Sequence, residues 1–185
     1  MISIDTTLSL SPVTMADVPQ LVQYLNNEKI YRNTLKIPFP YTRADAGWFV
    51  HFTEGRRQQF GRQVDWAIRN GEGYLIGGVG FHVRYGLASH KDEIGYWLGE
   101  PFWGQGIMTR VIAEICRLGF QEFNLLRLEA SVFEHNQASG RVLEKNGFVA
   151  EGILKNHFLK NGRPITVKLY AKTRSMPSST PPTFP

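Results

Sequence analysis

The amino-acid sequence predicts a mixed α/β domain. Apolar residues recur at i, i+3, i+4 and i+7 in some segments and at strand spacing in others. The segments come in the order strand, two helices, three strands, helix, strand, helix, two strands, which is too irregular for a doubly wound parallel sheet. The composition, 42% hydrophobic and 20% charged over 185 residues, suits a globular chain that buries one core without cross-links.

The elements follow in order. Thr14-Met15-Ala16-Asp17 has the form of a capping box, with Asp in the acidic role. Behind it Val18, Leu21, Val22 and Leu25 share one helical face. Thr42-Arg43-Ala44-Asp45 repeats the cap ahead of Trp48, Phe49 and Phe52 and starts a second helix; Pro38-Phe39-Pro40 separates the two. Residues 65–69 and 74–83 read as strands around the turn Asn70-Gly71-Glu72-Gly73. Gly77, Gly78 and Gly80 in the second of them predict a bulge or a close approach of other groups to the backbone. Residues 93–98 form a further strand. From Gly106, the residues Ile107, Val111, Ile112, Ile115, Leu118 and Gly119 trace a helix of about four turns. Residues 127–132 alternate Leu128, Ala130 and Val132 with polar partners, as a half-buried strand does. A short helix over 136–146 ends at Asn146-Gly147, and strands at 148–159 and 165–171 flank a turn at Asn161-Gly162. The domain is expected over residues 1–174. Residues 175–185, with four prolines and no charge, are expected to be a flexible tail.

Several function classes drop out. The formal net charge of +5 favours an anionic partner such as a phosphorylated cofactor, an acidic peptide or nucleic acid. The densest basic group, Arg56, Arg57 and Arg62, reads as a solvated helix end or an anion patch. Cys116 is the single cysteine, which excludes an intramolecular disulfide and a cysteine-cluster zinc site and fits a reducing compartment. It lies among apolar helix neighbours and is expected in the core. His51, His82, His90 and His135 lack paired ligand spacing, so no metal is expected. No apolar run is long enough for a transmembrane helix. Met1-Ile2-Ser3-Ile4-Asp5 does not begin a secretory signal. A cytoplasmic protein with no membrane partner is expected.

The most informative segment is Leu98-Gly99-Glu100-Pro101-Phe102-Trp103-Gly104-Gln105-Gly106-Ile107-Met108-Thr109. A strand ends, and glycines open a helix whose first N–H groups lack intrahelical partners. Such a start cradles a pyrophosphate without a charged side chain. A nucleoside-triphosphate loop would need lysine where Gln105 stands. A dinucleotide fingerprint would need its third glycine where Thr109 stands, although Glu129 lies where a ribose-binding acid belongs. A merely tight helix start is the remaining alternative.

Two motifs select another reading. Glu93-Ile94-Gly95-Tyr96-Trp97-Leu98 followed by Phe102-Trp103-Gly104-Gln105-Gly106 resembles the central motif of the GNAT superfamily of acyl-CoA-dependent N-acetyltransferases. Arg127-Leu128-Glu129-Ala130 followed by Asn136-Gln137-Ala138-Ser139-Gly140-Arg141-Val142-Leu143-Glu144-Lys145-Asn146-Gly147-Phe148 resembles its second motif. The likeness is greatest to the branch of the ribosomal-protein-alanine N-acetyltransferases, the Rim enzymes, and runs over 8–172. It implies a central, mostly antiparallel sheet with a splayed parallel pair, flanked by about four helices. Three positions depart from common superfamily choices. Trp103 replaces Arg or Gln, Met108 replaces Gly or Ala, and Leu143 replaces a tyrosine that often protonates the leaving thiolate. The Rim-like branch offers a serine instead, at the position of Ser139.

The resemblance implies transfer of acetyl from acetyl-CoA to a primary amine through a tetrahedral oxyanion. The acceptor expected is a protein or peptide N-terminus, with a small-molecule amine (an antibiotic, polyamine or amino acid) and a non-catalytic acyl-CoA-binding module as alternatives. No direct nucleic-acid partner is implied, and homologous enzymes are monomers or homodimers. Cofactor contacts fall on Trp97, Leu98, Trp103, Gly104, Gln105, Gly106, Ile107, Met108 and Thr109, with Asn136, Arg141 and Lys145 on the second motif. A backbone N–H near Trp97 and Leu98 would polarise the thioester carbonyl. Ser139 is the candidate general acid; Asn136 could equally be a helix cap. Glu93, acting through water, and His157 are the candidate general bases. Tyr96 and Trp97 read as core side chains. The segment 31–41, with Phe39 and Tyr41, is expected to line the acceptor pocket.

Overall fold

The caps read from the sequence organise the first half of the chain. The computed structural model describes residues 1–83, 86 and 88–174, so the expected tail over 175–185 lies outside the described residues. The Asp17 carboxylate accepts the Thr14 N–H at 2.8 Å and opens a single tight turn, Met15–Asp17, that leads into helix α1, Val18–Leu25. Asp45 does the same for Thr42 at the start of α3, Arg43–Phe60. Between them lies α2, Glu28–Asn33, which the sequence reading did not include. Six residues with one buried apolar side chain, Ile30, are too few to show a period. The Asn27 carboxamide caps it by accepting the Lys29 and Ile30 N–H groups.

The first strand of the sequence reading is two short strands, β1 (Ile2–Ser3) and β2 (Ser9–Ser11). They are followed by β3 (Asp65–Arg69), β4 (Leu75–Phe81), β5 (Lys91–Leu98), β6 (Arg127–Phe133), β7 (Val149–Lys160) and β8 (Arg163–Thr173). Among the described residues these form one eight-stranded sheet in the order β1-β2-β3-β4-β5-β6-β8-β7. All neighbours are antiparallel except β5 and β6. The remaining helices are α4 (Ile107–Arg117), extended by a wider turn over Leu118–Glu122, and α5 (Gln137–Lys145). With α2 counted, five helices flank the sheet among the described residues, where about four were expected. No described helix is long and apolar enough to cross a membrane.

Strand alternation divides the core between two faces. Trp66, Ile68, Phe81 and Ile94 point to the face covered by α4 and α5, where Val111, Ile112, Ile115 and Leu143 are buried. Ala67 points to the other, beneath Leu21 and Leu25 of α1 and Ala46 and Val50 of α3. Cys116 is buried in the first core, and burial pushes its thiol up to about 11. The three basic residues 56, 57 and 62 are not an anion patch. Arg56 holds Asp65 through two bonds of 2.7 and 2.8 Å, Arg57 pairs with Glu54, and the Arg62 guanidinium lies 3.5 Å from the Phe123 ring centroid.

The glycines of β4 and β5 give room to polar and aromatic side chains. A Cβ at Gly78 would lie 2.5 Å from Trp97 Nε1, one at Gly80 2.6 Å from Asp65 Oδ1, and one at Gly95 2.7 Å from His82 Nε2. The close approach expected of the glycine-rich strand is therefore made by an indole, a carboxylate and an imidazole, all on the α1–α3 face.

Candidate active site

The site begins where the parallel pair separates. β5 and β6 are in register at Lys91↔Arg127, Asp92↔Leu128 and Glu93↔Glu129, and the pairing ends there. The Ser131 N–H donates instead to Glu93 Oε1 at 3.3 Å, so a buried side chain bridges the opening. The His82 N–H donates to the Glu93 carbonyl, and the Gly99 N–H to the Ile76 carbonyl. Positions 93 and 99 thus turn their main-chain groups toward β4. With a period of two, Tyr96 and Leu98 turn theirs toward the gap. Leu98 therefore offers its N–H there, whereas the main chain of Trp97 faces β4 and its indole lies over Gly78.

Beyond β5, the turn Glu100–Phe102 leads to Trp103, whose indole N–H donates to the Leu98 carbonyl at 2.7 Å and pins the loop to the strand end. Gly104 and Gly106 have φ of +76° and +71°, and a Cβ on either would meet nothing within 4 Å. Their backbone lies open to the cleft ahead of α4. Met108 and Ile107 are buried against the α4 core, so the bulk of Met108 packs inward. Gln105 does not line the cleft; its amide donates to the Pro101 carbonyl.

The cleft encloses about 1110 Å³. One wall is α5. The Asn136 carboxamide accepts the Ser139 N–H at 3.2 Å, which makes it the helix cap. The hydroxyls of Ser139 and Tyr96 share a hydrogen bond of 2.7 Å. Burial pushes the Tyr96 phenol well above its ordinary range, more than this bond draws it down. Arg141 and Lys145 are exposed on the same helix and line the cleft. Leu143, at the position where many relatives would have tyrosine, is fully buried.

The opposite wall carries α2, α3 and the α1–α3 face of the sheet. Trp48 and Phe52 stack at 5.0 Å with a 14° interplanar angle and are exposed at the mouth. Tyr41 is buried, and burial together with the nearby Asp45 carboxylate pushes its phenol up to about 12. Lys160, at the tip of the β7–β8 hairpin, donates to the carbonyls of Tyr31 and Thr34 and lies 3.7 Å from the Tyr31 ring centroid. This contact ties the hairpin to α2. Phe39 does not line the cleft, but Tyr41 and Ile37 of the same segment do.

At the inner end of this wall sit Arg56, Asp65, His82 and Glu93. Burial pushes the Asp65 carboxyl up to about 6, against the opposing pull of Arg56 and His82. His82 Nδ1 lies 3.5 Å from Glu93 Oε2. The structure does not bring His157 here: it lies exposed beside the β7 bulge, its ring against Phe158, and does not line the cleft. The reason is local, since the register of β7 with β8 shifts between Leu154 and Phe158 and leaves His157 in the bulged stretch of the strand. Tyr96 and His82 were not singled out from the sequence as site residues. The available signal was strand alternation, which puts Tyr96 on the α4–α5 face and His82 on the face of Gly78 and Gly80.

A family model described as an acetyltransferase (GNAT) domain matches residues 7–149. The chain therefore belongs to the GNAT acetyltransferase family, and its fold is the one that the sequence resemblance implied. It is 36% identical over 111 residues to the uncharacterized N-acetyltransferase YoaA of Bacillus subtilis (strain 168), covering 60% of this chain and 62% of that protein. It is 35% identical over 101 residues to the ribosomal-protein-serine acetyltransferase of Escherichia coli (strain K12), covering 55% and 56%. Both matches span less than two-thirds of the relative's own length. Among solved structures it is similar to RimL, the ribosomal L7/L12 α-N-protein acetyltransferase, in complex with coenzyme A. There the TM-score is 0.81 at 25% identity, covering 93% of this chain and 97% of that one.

Proposed function

We propose that the chain transfers an acetyl group from acetyl-CoA to a primary amine, and that the acceptor is the α-amine of a protein or peptide N-terminus. The observation that carries this reading is the β5–β6 gap, which has an outward-turned glycine loop at one end and the Ser139–Tyr96 hydroxyl pair on its flank. The exposed main chain of Gly104 and Gly106 suits a pyrophosphate. Arg141 and Lys145 suit the 3′-phosphate of the cosubstrate. The open edge of β5 suits a pantetheine arm added as a further strand, and Asn136 has an amide to offer it beside its capping role.

Acetyl-CoA supplies the activated thioester; the chain supplies position and polarity. The Leu98 N–H faces the gap, where it can stabilise charge developing on the carbonyl oxygen. The Ser139 hydroxyl, oriented by Tyr96, is placed to donate a proton to the departing sulfur. Glu93 is the carboxylate nearest the gap on the acceptor side. An α-amine, with a pKa near ~8, is neutral at pH 7 about a hundred times more often than a lysine side chain near ~10.4. It therefore needs less help from a base. The names of the relatives point the same way, since two of them refer to acetylation of ribosomal proteins.

The test is calorimetric titration with acetyl-CoA, followed by thiol detection of CoA release with peptides beginning in Ala or Ser. Micromolar binding and acetylation confined to the α-amine are expected. Lack of acetyl-CoA binding refutes the reading. Turnover with spermidine or free amino acids but not with peptides replaces its acceptor by a small molecule.

A further inference from the structure

Tyr96 and Ser139 lie on the α4–α5 side of β5, which leaves the proton of the attacking amine to be taken from the other side. The strand geometry provides a group there. His82 follows β4, shares a face with Gly78 and Gly80, and sets its imidazole over Gly95. Its Nδ1 faces Glu93 Oε2 at 3.5 Å. A proton on Nδ1, directed at that carboxylate, leaves Nε2 as the accepting nitrogen. Nε2 lies over Gly95, one residue from the main chain of Tyr96 that turns into the gap.

We propose that His82, oriented by Glu93, is the residue that takes the proton from the attacking amine, on the face of β5 opposite Ser139. The inference rests on the acetyl-transfer reading above but not on the acceptor being a peptide. In the step, the amine lone pair forms the C–N bond and the carbonyl π pair moves to oxygen. His82 Nε2 takes the ammonium proton. The carbonyl then re-forms as the C–S bond breaks, and the sulfur takes a proton from the Ser139 hydroxyl, which solvent restores. Glu93 thereby becomes a positioning residue, because its carboxylate already accepts the Ser131 N–H and faces Nδ1.

Among the described residues, the charged groups around the imidazole come from three elements: Glu93 from β5, Asp65 from β3, and Arg56 from α3 through its two hydrogen bonds to Asp65. Activity needs both a neutral base and a neutral amine, so kcat/KM must rise with pH, and removal of the imidazole must leave only the part of that rise that belongs to the amine.

The experiment compares wild type with His82→Gln, His82→Ala and Glu93→Gln. CoA release is followed with Ala- and Ser-starting peptides, spermidine, free amino acids, and water alone. Acetyl-CoA affinity, measured by calorimetry, reports the fold and the cosubstrate site. Expected for His82→Gln is unchanged affinity, a kcat lower by ~100-fold or more, and loss of the histidine limb from the pH profile. Only the titration of the amine should remain. Glu93→Gln should lower kcat by ~10-fold, less than His82→Gln, with acetyl-CoA affinity unchanged, as loss of a group that only positions the imidazole would. Added imidazole should restore part of the activity of His82→Ala, which a merely structural role would not allow. The proposal is overturned if His82→Gln keeps kcat within three-fold of wild type. It is also overturned if both His82 variants lose turnover and acetyl-CoA affinity together without imidazole rescue. Inert peptides alongside active small amines or hydrolysis refute only the peptide reading, and His82 is then judged on those reactions. A wild-type protein that binds acetyl-CoA and releases no CoA with any acceptor refutes both.

Discussion

Ser139→Ala and Tyr96→Phe, singly and together, test the proposed acid side of the cleft. The two hydroxyls share one hydrogen bond of 2.7 Å, and Tyr96 OH has only a longer contact, 3.4 Å, to the Ser139 carbonyl beside it. Ser139→Ala leaves a phenol that burial has already pushed upward without its good partner. An orphaned buried hydroxyl costs about 1–2 kcal/mol, or roughly 2–8 °C of melting temperature for a domain this size. Tyr96→Phe leaves a serine hydroxyl that lines the cleft, where water can satisfy it. Its cost in stability is therefore the smaller, about 1 kcal/mol or less. The order reverses in catalysis. Loss of the acid is expected to lower kcat by ~100-fold, while loss of the group that orients it costs ~10-fold. The double variant should match Ser139→Ala alone, because Tyr96 has nothing left to orient. Melting curves and steady-state CoA release measure the two effects. If the two kcat losses multiply in the double variant, Tyr96 does not act through Ser139. If Ser139→Ala retains kcat, Ser139 is not the acid.

Further outcomes follow from other contacts. Asp17 is buried against Arg69, with bonds of 2.8 and 3.0 Å, and caps Thr14. Burial pushes its carboxyl up, but Arg69 and Thr14 outweigh that and hold it below its ordinary value. Asp17→Asn should cost about 3 kcal/mol, or roughly 10 °C. That difference should be constant from neutral pH down to the ordinary carboxylate value near ~4 and should shrink below it, as Asp17 itself protonates. Gly78→Ala drives a Cβ to 2.5 Å from the Trp97 indole nitrogen, and melting should show a loss of about 1–3 kcal/mol from the displaced ring. Replacing Arg141 and Lys145 together by Ala should weaken acetyl-CoA about five- to ten-fold and leave acetyl-dephospho-CoA unaffected, as two exposed contacts to one phosphate allow. Equal losses with both ligands would place the 3′-phosphate elsewhere.

What was legible in the sequence is what neighbouring residues enforce on one another. The Thr14 and Thr42 caps, the glycine-opened start of α4 and the Asn136 helix start each depend on groups within a few positions, and each formed where it was read. The family resemblance rested on such segments in order, so the fold followed from them. Elements too short to carry a period escaped it: α2 did not show, and β1 and β2 were read as a single strand. The β7 bulge, which turns His157 away from the cleft, leaves no mark in an alternating pattern.

The chemistry of the cleft depends on pairs far apart in the chain. Tyr96 meets Ser139 across 43 positions, and Glu93 reaches the Ser131 amide across 38. His82 meets Glu93 only because β4 and β5 pair in one register. A period of two tells which face a side chain takes, but a slip of one residue would exchange the faces, and only the assembled sheet decides the register. The sequence by itself determined the family, the glycine loop that opens α4 and the helix starts, because those are local hydrogen-bonding requirements. The tertiary structure decided that β5 parts from β6 after Glu93, and that a hydroxyl pair and an imidazole stand on opposite faces of the parted strand, because those positions arise from packing two helical layers against one sheet.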